Sequence, residues 1–453
     1  MPRAIDRQTS DHLLLGACLV WIACGCRSET PRPVGSTAKP LAVVVSCDTA
    51  GWIVPCGCSS KQAGGLLRRA TFVSKVRETA DVLLADAGGA AGGTSPYDRS
   101  KLEAVLRGEV AMQTAAHNIG ASEAELGAEA LRELASATGA PLISSNVRDA
   151  EGASVVPTHV ITTVGARRVA ILGVLSPRFA KGRLTVDDPG ASVLSLIGTL
   201  RGQYDHLLIL AYLPEEELRE FIGKTPEADL VIGGPTGQSI APQRAGPTTW
   251  GAATNKGKFL IHVERTGGAD SWSGKIVELG PEIADDPRQE QNLREFREVL
   301  ARADFRADQT SFVSNLPVTF PADFQVAGVA ACQSCHADDC DQWHGSRHSE
   351  AWQTLVSKAS HVDPYCQHCH TTGYGLPGGF ASLADAAQRG NVGCESCHGP
   401  SAAHARQPRV KTSYQASDRC LGCHDHENSP QFEYGQFWSQ IVHGASAPFA
   451  DKE

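Results

Sequence analysis

The 453-residue chain lacks a basic excess: 41 Lys and Arg face 50 Asp and Glu, for a net charge of −9 and a pI near 6.0. Nucleic acid selects basic surfaces, so it is excluded as a partner. The apolar run at the N-terminus, Leu13 to Cys24, is too short to span a bilayer as a permanent helix. From Phe324 onward, branched aliphatic residues are scarce. A stretch of about 120 residues with so few large apolar side chains cannot build a core unaided.

What that last stretch has instead is cysteine and histidine. The pattern Cys-x-x-Cys-His occurs at Cys332-Cys335-His336, Cys366-Cys369-His370, Cys394-Cys397-His398 and Cys420-Cys423-His424. Chance at this composition gives on the order of 0.02 copies in the whole protein. Facing Cys-x-x-Cys arms can hold zinc, but zinc gives no reason for a histidine after every second cysteine. A haem held through thioethers needs two thiols at its vinyl spacing and an imidazole for the iron, and one turn of this pattern supplies all three. The segment therefore reads as carrying four covalently attached haems c, whose apolar macrocycles fill the missing core. The steps of 34, 28 and 26 residues between motif starts allow the haems to lie close together.

Upstream, residues 41–280 alternate short apolar runs with helical patterns. LAVVVSCD, DVLLADAGG, PLISSNV, RRVAILGVLS, HLLILAYL and DLVIGGP read as buried strands. The segments Ser100 to Thr138 and Pro214–Lys224 read as helical, and WGAATNKGKFLIHVERT as an antiparallel hairpin. The expected fold class is an α/β sandwich followed by a mainly α, haem-filled cytochrome domain. The expected domains are an export signal over 1–26, a linker over 27–40, the α/β domain over 41–280, a helical connector over 281–323 and the tetrahaem domain over 324–453. A short basic start, an apolar run and small residues mark the export signal. Cys18, Cys24 and Cys26 each offer a lipoprotein cleavage site. The expected location is the periplasm or cell envelope, with redox partners there and an N-terminal lipid as one means of membrane anchoring.

QWHGSRHSEAW, CQHCHTTGYGLPGGF, NVGCESCHGPSAAH and FWSQIVHG add words between and after the four motifs. In them, Gly328 to Gly444 resembles the tetrahaem cytochrome family of the electron acceptor of nitrifier hydroxylamine oxidoreductase. The resemblance implies His336, His370, His398 and His424 as proximal iron ligands and His348, His404 and His443 as distal ones. His344, four residues before His348, is the alternative to it. The fourth iron, on Cys366 and Cys369, is then either open, as in the family, or closed by His361 or His426. An open iron binds small ligands such as nitric oxide, which carries an alternative reading as an oxidoreductase of small nitrogen compounds.

The order of a strand ending at Asp48, GGLLRRATFV, LLADAGG, the Gly120–Gly127 region, ISSNVRD, LILAYL, VIGGPTG and NKGKFL resembles the metallophosphoesterase domain of periplasmic nucleotidases. That family clamps two metal ions with carboxylates and imidazoles. Here Asp48 stands, but Ala50, Gly89, Ala128-Glu129, Tyr212, Pro235 and Gly237 occupy the other positions, so phosphoester hydrolysis is not expected and the domain reads as a docking or scaffold module. Cys47, Cys56 and Cys58 sit in the first loop, where they make either a disulfide with a spare thiol or a thiolate metal site, the basis of a less favoured hydrolase reading.

Overall fold

The computed structural model describes residues 39–55, 62–265, 272–313, 323–412 and 417–444. The export segment, most of the linker, and Cys18, Cys24, Cys26, Cys56 and Cys58 lie outside them.

In chain order the first strands are β1 (Leu41–Ser46), β2 (Asp81–Asp86), β3 (Ala116–Asn118), β4 (Leu142–Ile143) and β5 (Val147–Arg148). They are followed by β6 (His159–Val164), β7 (Arg167–Leu175), β8 (Thr185–Val186), β9 (His206–Tyr212) and β10 (Leu230–Gly234). The last are β11 (Ile240–Ala245), β12 (Thr248–Ala252), β13 (Phe259–Arg265) and β14 (Ser273–Glu278). Two six-stranded sheets result, ordered β14-β13-β1-β2-β3-β4 and β11-β12-β10-β9-β7-β6, with β5 and β8 forming a small pair. Strands such as LAVVVS are buried at every position, the mark of a sheet covered on both faces.

Register sets up the site. Ser46 lies opposite Asp86, and Asp86 opposite His117, at the carboxyl ends of parallel β1, β2 and β3. Leu175 pairs with Tyr212, and Tyr212 with Gly234, at the matching ends in the second sheet. Such ends are where α/β sheets gather their chemistry.

The expected hairpin over Trp250–Thr266 is not formed. β12 pairs with β10 and β11, whereas β13 pairs with β1 and β14 in the other sheet. Asn255 and Lys256, at φ of 77° and 54°, turn the chain across the sandwich. Alternating apolar residues identify strands but not their partners.

Helices α1 (Leu66–Thr79), α2 (Pro96–Ala111), α3 (Ala121–Thr138), α4 (Pro189–Leu200), α5 (Glu215–Lys224) and α6 (Pro287–Ala303) belong to this part. Ser95, Asp188 and Asp286 cap α2, α4 and α6 through their side chains, each followed by proline at the first helical position. Helix α6 lies against α1 and α2, with Phe296 and Leu300 buried. Its Gln289 and Asn292 amides donate to the carbonyls of Gly108 and Ala104, both at 2.9 Å.

The remaining helices are short: α7 (Val329–Gln333), α8 (Ala337–His344), α9 (Ala351–Ser357), α10 (Pro364–His370), α11 (Ala386–Arg389), α12 (Cys394–His398), α13 (Ala402–Arg406), α14 (Ser417–Cys420) and α15 (Tyr434–Trp438). Their apolar core is thin, built around Tyr374 and Phe380. Polar staples compensate. The buried Glu395 carboxylate, inside the third motif, accepts from the backbone of Ala327, Gly328 and Ser401 at 2.8, 2.6 and 2.7 Å, fixing the start of α7. Trp343 Nε1 donates to the Val392 carbonyl at 2.8 Å. Among the described residues, no helix is long and apolar enough to cross a membrane.

Candidate functional site

Each Cys-x-x-Cys-His motif folds as one turn of chain. The His336 and His424 amides donate to the carbonyls of Cys332 and Cys420 at 3.0 and 2.8 Å, which sets each histidine beside its own pair of sulfurs. The second and third motifs close helix α10 and form helix α12. Sulfurs of different motifs also meet: Cys332 with Cys394, and Cys369 with Cys423.

Three of the four motif histidines face a second imidazole from far along the chain. Ring centroids are 6.3 Å apart for His336 and His404, 6.3 Å for His348 and His424, and 5.8 Å for His398 and His443. Imidazole–metal bonds are about 2.0 Å and a ring nitrogen lies about 1.1 Å from its centroid, so one metal between opposed rings separates centroids by roughly 6.2 Å. The pairs fit an iron between them. His344 instead lies beside Trp343, with centroids 4.8 Å apart.

The Nδ1 atoms of five of the seven motif and facing histidines are engaged. His370, His404 and His443 hydrogen-bond through Nδ1 to the carbonyls of Ala351, Val410 and Ile441, each at 2.8 Å. A carbonyl only accepts, so Nδ1 carries the proton and Nε2 presents its lone pair. His424 Nδ1 lies 3.0 Å from Ser429 Oγ, and His336 Nδ1 lies 3.3 Å from Asp339 Oδ2. Burial lowers the pKa of His348, His398 and His424, favouring the neutral imidazole that binds iron.

His370 has no imidazole opposite it among the ring contacts of the described residues. His361 packs edge-on against Trp352, with a buried Nδ1 that has no hydrogen bond, and His426 is exposed. A cavity of about 1290 Å³ is lined by Cys366, Cys369, Cys397, Cys420 and Cys423. It exceeds the roughly 300–1,000 Å³ of ordinary small-ligand pockets, as more than one macrocycle requires.

Side chains of the chain itself crowd the surroundings of Asp48 and Gly89. Asp48 accepts from Thr254 Oγ1 at 2.9 Å. A Cβ placed on Gly89 would lie 2.6 Å from Tyr212 Cε2 and 3.1 Å from the Asp48 Cα. Tyr212 thus fills the space beside Asp48. A Cβ on Gly234 would lie 2.8 Å from Cys47 Sγ, which packs into the same floor. Burial, reinforced by Asp48, pushes the Cys47 thiol well above its ordinary range. The loop facing Gly89 is Gly120–Glu123, not Ala128–Glu129. Ser122 Oγ donates to the Ala91 carbonyl at 2.9 Å, and the Glu123 carboxylate accepts from the amides of Gly89, Ala90 and Ala91. Glu129 is exposed, beyond the break at Gly127 in α3.

Behind this floor lies a buried ionic network that sequence reading missed. The Arg69 guanidinium, 1% exposed, reaches Thr49 Oγ1 at 2.7 Å, Ser46 Oγ at 3.0 Å, Glu109 at 3.4 Å and Asp86 at 3.5 Å. His117 Nδ1 lies 2.7 Å from Glu109, and its Nε2 3.7 Å from Glu123. Burial opposes charge on His117, but the Glu109 and Glu123 carboxylates outweigh it and raise its pKa well above normal. Burial, with Glu109 adding to it, raises Asp86 to about 7. Asp86, Glu109 and His117 stand close enough to ligate one metal ion. Arg69 already supplies the cation there. Its only sequence signal is the arginine pair Arg68-Arg69 inside the largely apolar GGLLRRATFV.

The family described as cytochrome c554 and c-prime matches residues 331–399, which include the first three motifs and end before the fourth. Cytochrome c-554 of Nitrosomonas europaea is 27% identical over 28% of this chain and 65% of its own length. A 5'-nucleotidase precursor from Thermus thermophilus superposes with a TM-score of 0.51 at 19% identity, over 59% of this chain and 60% of that one. The calcineurin-like phosphoesterase YfkN from Bacillus subtilis gives 0.50 at 16% identity, over 58% of this chain and 97% of that one. The chain therefore spans less than two thirds of the cytochrome and of the nucleotidase. Its N-terminal part has the phosphoesterase-like α/β fold, and its helical C-terminal part is similar to a c-type cytochrome.

Proposed function

We propose that this protein is an exported c-type cytochrome of the cell envelope that relays electrons between redox partners through four covalently attached haems. The observation that carries the reading is the pairing of His336, His398 and His424 with His404, His443 and His348 at iron-spanning distance. Cys332, Cys335, Cys366, Cys369, Cys394, Cys397, Cys420 and Cys423 would hold the porphyrins, and His370 would be the fourth motif ligand. When bound, each haem supplies a one-electron iron centre whose potential follows its ligands, burial and nearby charge. The chain's own part is to fix ring tautomers through backbone carbonyls and to exclude water.

The phosphoesterase-like part serves as scaffold rather than hydrolase. Tyr212 fills the space beside Asp48, and the carboxylates behind it are neutralised by Arg69 and His117. Iron and pyridine-haemochrome counts on protein matured in a c-type assembly host test the reading, with four haems per chain expected. Zinc in place of iron, or a colourless folded protein, would overturn it.

One observation favours a second reading beside the first. His370 faces no second imidazole among the described residues, which suits an iron open to small nitrogen compounds. A high-spin signal that shifts on adding nitric oxide would support it, and a fully low-spin spectrum would remove it.

A further inference from the structure

The cavity around the second motif has a wall that does not come from the cytochrome part. Cys366, Cys369 and His370 line it together with Lys101 of α2 and Leu293 and Arg297 of α6. Four cations of the α/β part, Arg68, Lys101, Arg294 and Arg297, thus line a space shared with the cysteines that would carry a macrocycle.

Arg297 stands apart from the other arginines of its helix. Arg294 leans on Gln291 at 2.7 Å, and Arg302 on Glu298 at 3.8 Å. Arg297 is half-buried and pairs with no carboxylate among the described residues, with Asp363 and Cys366 only near enough to be felt. Burial lowers its pKa, the sign of a charge held without its counter-ion. Asp363 is already engaged, accepting from Tyr97 Oη at 2.6 Å and from the Tyr365 amide at 2.9 Å as the cap of α10. Lys101 Nζ sits over the rings of Tyr97 and Tyr365, 5.1 and 5.2 Å from their centroids. Those two tyrosines tie the α/β part to the helix that carries the second motif, so the cations are fixed relative to Cys366.

We propose that Arg297 and Lys101 hold the propionate carboxylates of a haem in this cavity, which makes the α/β domain part of that haem's pocket. The inference rests on the tetrahaem reading. A macrocycle bound through two thioethers presents two carboxylates, and an arginine fork with a lysine is the donor set that planar and point-like anion contacts require. Both are positioning residues, acting on the haem's orientation and potential.

The test uses the full chain matured with haem, as wild type, Arg297→Gln, Arg297→Lys, Lys101→Gln and the control Arg302→Gln. Haems are counted by pyridine haemochrome, and each preparation is titrated optically against potential. Losing a partly buried cation disfavours the more negative reduced state. Arg297→Gln and Lys101→Gln should each keep four haems and lower one midpoint. A tenfold change in that haem's reduction equilibrium, about 59 mV for one electron, is expected for Arg297→Gln. Arg297→Lys should recover most of it, and Arg302→Gln should move nothing. Unchanged midpoints at four haems in Arg297→Gln would overturn the proposal and leave the tetrahaem reading standing. Three haems in Arg297→Gln with four in Arg297→Lys would support it, whereas three in both would overturn it as a packing effect. Fewer than four in the wild type would remove the underlying reading and this inference with it.

Discussion

Replacing Arg69 with methionine tests whether the ionic network stands where the metal clamp would be. The guanidinium contacts Asp86 and Glu109 and is 1% exposed, so its removal leaves buried negative charge without its partner. Breaking a buried pair this way costs about 3–5 kcal/mol. The cost should depend on pH in a stated direction. Burial and Glu109 raise Asp86 to about 7 in the folded protein, above its unfolded value. Between those two values the folded state binds a proton that the unfolded state does not, so stability contributed by Asp86 is present at lower pH and lost as pH rises towards 7. Without Arg69 the carboxyl holds its proton more tightly still. The deficit of the variant should therefore be larger at about pH 8 than at about pH 5.5, where Asp86 is neutral in both proteins and needs no cation. Urea unfolding followed by far-ultraviolet circular dichroism at both values measures it. A cost below about 1 kcal/mol at the higher pH would refute the reasoning, because a buried pair broken on one side cannot be that cheap. So would an equal cost at both.

Other outcomes follow from the same geometry. His404→Ala should convert one iron to high spin, adding about a quarter of the total iron to the high-spin ferric signal in electron paramagnetic resonance. His344→Ala, the control, should add none. Glu395→Gln weakens a buried carboxylate that accepts three backbone amides, and should cost about 2–3 kcal/mol, read as a fall in melting temperature of the haem-loaded protein. Gly89→Asp would restore a carboxylate to the phosphoesterase cleft. It should instead destabilise by about 2 kcal/mol or more, because the new Cβ meets Tyr212 at a positive φ of 78°. Adding manganese or zinc to that variant should leave its melting temperature unchanged.

Residues differ in how much of their role was legible, and the difference is physical. Covalent attachment fixes spacing within five positions, so Cys394, Cys397 and His398 announce themselves locally. Their partners do not: His443 is 45 positions beyond His398, and only the family words around it point to a ligand. Strands such as LAVVVS were legible because burial on both faces leaves a continuous apolar run. The partners of β12 and β13 were not, since pairing is decided by the packing of whole sheets. Arg69, Glu109 and His117 come from α1, α2 and β3, and a buried ion pair leaves no period in the sequence. The misplaced Ala128–Glu129 has a related cause. The order of motifs was right, but only the close approach of Gly120 to Gly89 shows which turn of chain faces the cleft.

The crowding of the cleft and the wall around Cys366 belong together. A dinuclear metal site draws carboxylates towards ions that solvent can exchange. Arg69 and His117 do the same from within the chain, with cations that cannot leave, while Tyr212 and Cys47 fill the front. The outer surface of the α/β part meets the cytochrome segment. There Trp52 meets Tyr365 edge-on at 6.1 Å, Tyr97 bonds Asp363, and Val362 joins the α/β core. A cytochrome segment with a thin core gains from such a neighbour, because haem potentials depend on fixed charges and excluded water. The α/β part supplies both where it meets that segment.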